Sequence, residues 1–126
     1  MAVDNNYVHS DTTDKIIGLA IKVHKVLGPG FTEKFYEKAL ISELSEAKID
    51  YIRQKEIKVK YNNILLGTQR IDLVIENKII VELKIVSEIS ESNIAQIISY
   101  LRAAKIKIGL ILNFAKNRLE IKRVVV

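Results

Sequence analysis

The residues of this sequence best suited to chemistry lie in the stretch Arg70–Lys84, which reads RIDLVIENKIIVELK. Two runs rich in Val, Ile and Leu flank a short polar segment there, a pattern that predicts a β-hairpin. Because successive side chains point to opposite faces of a strand, a three-residue turn centred on Asn77 places Asp72 directly opposite Glu82. Lys84 falls further along the same face. Two carboxylates and one amine would then meet on a single surface of the hairpin.

The meeting of the two carboxylates depends on the register of that hairpin. Like charges directly opposite each other cost a few tenths to about 1 kcal/mol against a neutral pair, so the arrangement calls for a compensating cation, either Lys84 or a divalent metal. A two-residue turn would instead put Asp72 opposite Leu83 and send Glu82 to the other face. We favour the three-residue turn because it gathers one buried apolar face, made of Ile71, Leu73, Ile75, Ile79, Val81, Leu83 and Ile85.

The composition is that of one soluble globular domain, with 126 residues, 48% hydrophobic and 28% charged. We expect residues 1–10 to form a flexible tail and residues 11–126 to form a single domain. No apolar run approaches the length of a membrane span, and residues 1–14 lack the apolar centre of a signal peptide. These features predict a cytoplasmic protein with no membrane partner.

The chain contains no cysteine and carries a formal net charge of +5. The absence of cysteine excludes disulfides, thiolate zinc sites and cysteine nucleophiles, so carboxylates and the two histidines are the candidate metal ligands. The positive net charge suits a polyanionic partner such as nucleic acid.

Two helices are predicted ahead of the hairpin. The first begins at one of several N-cap candidates within residues 10–14 and ends at Leu27, because Gly28-Pro29-Gly30 forces a turn. The second covers Phe31–Ile49, and helical spacing places Glu33 on its apolar stripe, which consists of Tyr36, Leu40 and Leu44. Glu33 is either a first-turn acid that interacts with the helix dipole or a site residue, and the helical pattern alone leaves both open.

The remaining elements complete a regular order. Ile52–Tyr61 alternates as a half-exposed strand, and the turn signal Asn62-Asn63 leads into the strand that carries the first carboxylate. A third helix follows the polar segment Ser87–Ser92, and Lys107–Phe114 and Leu119–Val126 are predicted as strands. The order α-α-β-β-β-α-β-β predicts an α/β fold with a mixed β-sheet flanked by helices.

The spacing of Asp72, nine further residues and then Glu82-Leu83-Lys84 resembles the PD-(D/E)XK nuclease superfamily. The segment Gly30–Tyr36, GFTEKFY, matches the GxxExxY pattern that names one small family within it. Later segments also resemble that family, namely Ala95-Gln96, Ser99–Leu101 and Gly109–Phe114. One departure is that no proline precedes the Asp72 motif, although a proline is common there in the superfamily.

The resemblance implies a nuclease core and a Mg²⁺-dependent phosphodiesterase that acts on DNA, with Mn²⁺ as a substitute ion. In it, Asp72 and Glu82 would be catalytic metal ligands, since carboxylate oxygens suit Mg²⁺, and the Leu83 carbonyl would be a further ligand. Lys84 would orient the attacking water or stabilise charge on the phosphoryl oxygens. Glu33 matches an additional catalytic and metal-binding carboxylate of related nucleases.

Gln96 and Tyr100, four residues apart on the third helix, resemble a QxxxY element that positions substrate or metal water. Tyr36 is a third substrate-positioning candidate unless it belongs to the core. His24 has no partner at ligand spacing, which favours a structural role. We expect a basic phosphate-binding rim, composed of Arg102, Lys105, Lys107, Lys116 and Arg118. The alternative function is a non-catalytic nucleic-acid-binding or protein-interaction domain with the same fold, and a homodimer stays open.

Overall fold

The computed structural model describes residues 9–126. Its elements are α1 (Ser10–Leu27), α2 (Glu33–Glu46), β1 (Tyr51–Tyr61), β2 (Ile64–Ile75), β3 (Ile79–Lys84), α3 (Glu91–Ala104), β4 (Ile108–Asn113) and β5 (Glu120–Val125). The predicted order and the α/β class are confirmed. Of the predicted tail, residues 1–8 lie outside the described range, and Ser10 already belongs to α1.

The five strands form one sheet in the order β1-β2-β3-β4-β5. The pair β3 and β4 is parallel, and the other neighbouring pairs of this sheet are antiparallel. A parallel pair needs a crossover connection, which α3 supplies, and α3 packs its apolar side on one face of the sheet. Helices α1 and α2 cover the other face. No helix within residues 9–126 is long and apolar enough to cross a membrane.

The β2–β3 hairpin has the predicted register, since Leu73 pairs with Val81 and Ile75 with Ile79 across a three-residue turn. The predicted single buried face is wrong in one position. Ile71 packs in the cluster beneath α3, whereas Leu73 packs beneath α1 and α2. The alternation of β2 breaks at Asp72, which stands opposite Gln54 of β1, between the pairs Arg53–Leu73 and Lys55–Ile71. Gln54 has φ 51, so both strands are irregular at this level.

Two predicted helix ends also differ from the structure. Helix α1 begins at Ser10 after His9, which makes no side-chain cap, so the predicted capping by residues 10–14 is wrong. Helix α2 spans Glu33–Glu46 rather than Phe31–Ile49. It ends early because Lys48 adopts a left-handed conformation with φ 59, which breaks the helix before the apolar residues that follow.

Helix α3 is fixed at its start and along its length. The Ser90 side chain accepts a hydrogen bond from the Asn93 backbone N–H, and the Asn93 side chain accepts one from the Ser90 N–H, which forms a capping box. At Gly109 on β4, a Cβ atom would lie 2.7 Å from Ile97 Cδ1 of α3. Glycine therefore permits the close approach of helix and strand.

Candidate active site

The two predicted carboxylates lie where the β2–β3 ladder opens. Regular pairing ends at Leu73 and Val81, and beyond it the side chains bridge the strands. The Asp72 backbone N–H donates to Glu82 Oε2 at 2.8 Å, and the Leu83 N–H donates to Asp72 Oδ2 at 2.9 Å. Each carboxylate thus accepts a hydrogen bond from the opposite strand. These two bonds leave the second oxygen of each carboxylate for another partner.

The electrostatics of the pair favour a cation. Burial and the neighbouring Asp72 carboxylate raise the pKa of Glu82 to about 8. Burial also raises the pKa of Asp72, and Glu37 raises it further against the opposing effects of the Leu83 N–H and Lys84. Both shifts have the same physical cause, because negative charge is held away from water and close to negative charge. A positive ion at this position would remove the penalty.

Helix α2 contributes two acids to the same place. Glu33, Glu37, Asp72 and Leu83 line an open cavity of about 220 Å³, together with Lys34 and Gln54. Burial raises the pKa of Glu33, and so does the charge of Asp72, which shows that Glu33 lies near the carboxylates of the hairpin. The structure therefore brings Glu33 to the predicted site, although its side chain is exposed rather than part of the apolar stripe.

Glu37 and Gln54 are site residues that were missed by sequence reasoning. Glu37 is only 7% exposed, accepts a hydrogen bond from Gln54 Nε2 at 2.8 Å, and lies 3.8 Å from the Arg53 guanidinium. The spacing of four residues from Glu33 was a usable signal, because residues at that separation share a helix face. No comparable signal marked Gln54, whose left-handed backbone interrupts the alternation of its strand.

The GxxExxY segment positions Glu33 through its last residue. The Tyr36 hydroxyl donates to the Gly28 carbonyl at 2.6 Å and accepts from the Phe31 N–H at 3.1 Å. Its ring is fully buried and stacks on Phe114, with centroids 4.5 Å apart. The hydroxyl therefore fixes the loop that leads into α2. This placement puts Tyr36 in the core and away from any substrate, as the alternative interpretation of this residue expected.

Helix α3 places the amide and phenol beside the strands. Lys84 Nζ donates to Gln96 Oε1 at 2.8 Å, and the Tyr100 hydroxyl donates to Gln69 Oε1 at 3.3 Å. Burial raises the pKa of Tyr100, and the charges of Glu82 and Asp72 raise it further. The structure therefore brings the lysine, glutamine and tyrosine of the predicted site together with the two carboxylates.

The match to known protein families agrees with this arrangement. The model of the PD-(D/E)XK nuclease superfamily matches residues 10–124. The chain belongs to the PD-(D/E)XK nuclease superfamily. Members of this superfamily are phosphodiester hydrolases that act on nucleic acids and generally use divalent metals. No curated protein and no solved structure matches the chain significantly.

The donor set of this PD-(D/E)XK protein fits a hard divalent ion. Within residues 9–126, no three or more His, Asp or Glu side chains form a ready metal cage. Mg²⁺ does not require one, because it is commonly bound by one or two carboxylates and completes its shell with waters and substrate phosphate. Asp72 and Glu82 meet this requirement, and their raised pKa values mark the position where positive charge is lacking.

The structure divides the predicted basic rim. Lys116 and Arg118 follow the carboxyl end of β4, whereas Lys105 and Lys107 precede its amino end. Six strand residues separate the two groups, about 20 Å at ~3.3 Å per residue. Lys116 lies 3.9 Å from Glu88 and 3.8 Å from Glu120. The expectation of one rim is therefore wrong, because the two groups lie at opposite ends of β4.

His24 has the structural role that its spacing favoured. It is 6% exposed, its Nε2 lies 2.8 Å from the Lys116 carbonyl oxygen, and its ring packs 6.0 Å from that of Phe114. These contacts tie α1 to the β4–β5 turn. His24 is therefore accounted for by packing.

Proposed function

We propose that this chain is a metal-dependent nuclease of the GxxExxY family that hydrolyses phosphodiester bonds of DNA, with Mg²⁺ as its ion and Mn²⁺ as a substitute. The observation that carries the proposal is the pair Asp72 and Glu82, held between two opened strands with Lys84 on the same face of β3. A buried like-charge pair is costly for a purely structural role. It is the expected arrangement for a site that binds a cation.

The residues of the site would have different roles. Asp72 and Glu82 would hold the ion, with the Leu83 carbonyl and Glu33 as further oxygen donors. When bound, the ion polarises a phosphoryl oxygen and lowers the pKa of a water molecule. Lys84 keeps a positive charge beside the phosphate, where it stabilises the negative charge that develops in the transition state.

The neighbouring polar residues position this machinery. Gln96 accepts a hydrogen bond from Lys84 and so directs its ammonium group. Tyr100, whose hydroxyl donates to Gln69 beside the strands, is suited to bind a substrate oxygen or an ordered water. Glu37 would act through Gln54, which lines the same cavity and donates a hydrogen bond to the Glu37 carboxylate.

The test is cleavage by purified Asp72→Asn and Glu82→Gln variants on single-stranded, duplex and branched DNA and on RNA of the same sequence. Each substitution removes a ligand charge with almost no change of shape, so we expect metal-dependent cleavage to be lost by at least about 100-fold, the scale of losing a key electrostatic group. Circular dichroism should show a folded protein. The matched control is Asp14→Asn, an exposed acid on α1.

The outcomes separate the two candidate functions. Full activity in either site variant would contradict the assignment of these residues. If the unmodified chain binds nucleic acid but cleaves no substrate with any divalent ion, the alternative of a non-catalytic binding domain is correct.

A further inference from the structure

The β1–β2 hairpin carries a group of large apolar side chains into solvent at its end, which we call the hairpin tip, residues 61–66. Tyr61 is 66% exposed, Ile64 63%, Leu65 53% and Leu66 66%. They flank the two-residue turn Asn62-Asn63, in which both residues have positive φ, 49 and 64. Such a turn gives a rigid hairpin end. Large apolar side chains grouped on a surface mark an interaction site rather than a random exposure.

The base of this hairpin is anchored, whereas its outer half is not. Ile57 is buried against the apolar cluster under α3, Gln69 accepts from the Tyr100 hydroxyl, and Arg70 lies 3.9 Å from Glu56 across the ladder. Further out, every side chain is exposed except that of Val59, which is half-buried. The outer half is therefore a two-stranded ribbon that projects from the sheet.

The charge on the ribbon indicates its partner. Between Ile57 and Gln69 the sequence has two lysines, Lys58 and Lys60, and no acidic residue. Within residues 9–126 neither lysine takes part in an ion pair. A second copy of this ribbon would carry the same two lysines, so its charge is not complementary. A polyanion with apolar surface between its charges is the complementary partner, and duplex DNA presents this combination in its grooves.

We propose that the hairpin tip, with Lys58 and Lys60, is a docking surface for duplex DNA, a role that rests on the proposed nuclease function. A two-stranded ribbon fits the major groove, which is about 12 Å wide. There the lysines contact phosphates, and the apolar tip is covered by base edges, including thymine methyl groups.

The distance from the hairpin tip to the carboxylates allows one duplex to contact both. Asp72 lies on the same strand as Ile64, roughly 26 Å away at ~3.3 Å per residue. That length corresponds to about eight base pairs of B-DNA at ~3.4 Å per pair. A duplex that runs along β2 from the catalytic cavity would therefore reach the tip, and in this orientation the ribbon holds the substrate on one side of the cleavage position.

The experiment measures binding of a fluorescent duplex of about 24 base pairs to the full chain in EDTA, where cleavage is absent. The variants are Leu65→Ser/Leu66→Ser and Lys58→Ala/Lys60→Ala. The matched controls lie on α1, namely Val26→Ser, at a residue that is 76% exposed, and Lys15→Ala/Lys25→Ala, at exposed lysines.

We expect the double serine variant to bind the duplex at least about tenfold more weakly with an unchanged salt slope, because it loses apolar contact and no phosphate contact. The double alanine variant should lower the magnitude of that slope by about two, one for each phosphate contact. Both controls should bind like the unmodified chain. Folding of each variant is verified by thermal unfolding.

Duplex affinity that is unchanged in both hairpin variants would overturn the inference. So would a dimer of the unmodified chain in sedimentation that the double serine variant converts to a monomer, because a second copy would then cover the tip. The proposed function fails differently. If duplex binding depends on the hairpin but no metal-dependent cleavage occurs, the docking surface is supported and the nuclease function is contradicted. If the chain cleaves DNA but its binding does not depend on the hairpin, the nuclease function is supported and the docking surface is contradicted.

Discussion

Asp72 and Glu82 replace part of the backbone ladder with side-chain hydrogen bonds. Backbone groups that would otherwise pair across β2 and β3 donate to carboxylate oxygens, which keeps the two acids at a short and defined separation. Such groups must find partners when they are buried, so the strands hold the carboxylates in place. The free energy cost comes first from burial, which takes both carboxylates out of water, and then from neighbouring acids, Asp72 for Glu82 and Glu37 for Asp72; these effects raise both pKa values. At the residue scale, the two carboxylates are thus held in a position that disfavours their negative charge.

The raised pKa of Glu82, about 8 instead of 4.5, makes metal-free stability depend on pH. Between these values the folded protein retains a proton that the unfolded chain has released, so the free energy of unfolding falls as the pH rises. Glu82→Gln removes this dependence. We expect the variant to match the unmodified chain near pH 4, below the pKa of the unfolded chain, and to be more stable by about 1 kcal/mol or more above pH 8.

Urea unfolding in EDTA across that pH range measures the difference. An equally steep pH dependence in the variant would show that Glu82 is not the group responsible. Asp14→Asn, at an exposed acid, serves as the control.

Glu33 gives a second prediction at this scale. Because burial, Asp72 and Glu37 together disfavour its charged form more than Lys84 favours it, Glu33→Gln should leave metal-free thermal stability unchanged or raise it. The same change should weaken Mg²⁺ or Mn²⁺ binding and reduce activity, as expected when stability is exchanged for a site. Melting temperatures with and without metal test both effects.

A first-turn acid without a site role would behave in the opposite way. Glu33→Gln would then cost roughly 0.3 to 1 kcal/mol of stability through the helix dipole and spare metal affinity. The control on the same helix is Glu46→Gln, an exposed acid at its far end.

At the scale of elements, the site depends on how two helices are seated on the sheet. The loop before α2 is held by the Tyr36 hydroxyl, and Gly30, at φ 114, adopts a conformation that side chains rarely permit. On the other face, α3 approaches β4 closely at Gly109. Since α3 carries the glutamine and tyrosine of the site, its distance from the sheet decides their position.

We expect Gly109→Ala to lower the free energy of unfolding by about 1 to 3 kcal/mol, because the new methyl group overpacks the contact with Ile97. The atom nearest to that methyl group would be Ile97 Cδ1, at 2.7 Å. Ile97→Val lacks that atom, so Gly109→Ala should cost less in the Ile97→Val background. Urea unfolding of the four proteins forms a double-mutant cycle. Equal cost in both backgrounds would locate the strain elsewhere.

At the scale of the whole molecule, the net charge of +5 is distributed unevenly. Glu33, Glu37 and Asp72 line the cavity, whereas lysines and arginines lie on all three helices, on the outer strands and at both ends of β4. A polyanion is therefore attracted to the surface as a whole and repelled at the carboxylates until a cation neutralises them. We therefore expect metal binding to raise nucleic-acid affinity.

We expect DNA binding by the metal-free chain to be weak and to fall steeply with salt between about 50 and 200 mM, as phosphate contacts require. Arg102→Ala and Lys105→Ala should each reduce the slope if these residues contact phosphate. Fluorescence anisotropy over a salt series measures both. A salt-independent affinity would indicate a protein or small-molecule partner instead.

Much of this fold is specified by local sequence patterns. The alternation of Arg70–Lys84, the glycine and proline punctuation after Leu27 and the helical spacing near Gln96 predicted the element order and the hairpin register, because these patterns act over a few residues. The same register placed Asp72 beside Glu82, and the structure confirms their contact. The sequence alone therefore predicted that these two carboxylates meet.

Tertiary structure alone decided the rest. Glu37 and Gln54 meet across seventeen residues of sequence. The alternation of β2 breaks opposite a left-handed residue of β1, which periodicity does not predict, and Ile71 lies on the other face. The basic residues around β4 are close together in sequence, yet they lie at opposite ends of this strand. Periodicity fixes the face of an element on which a side chain lies, whereas the packing of distant elements determines which faces meet.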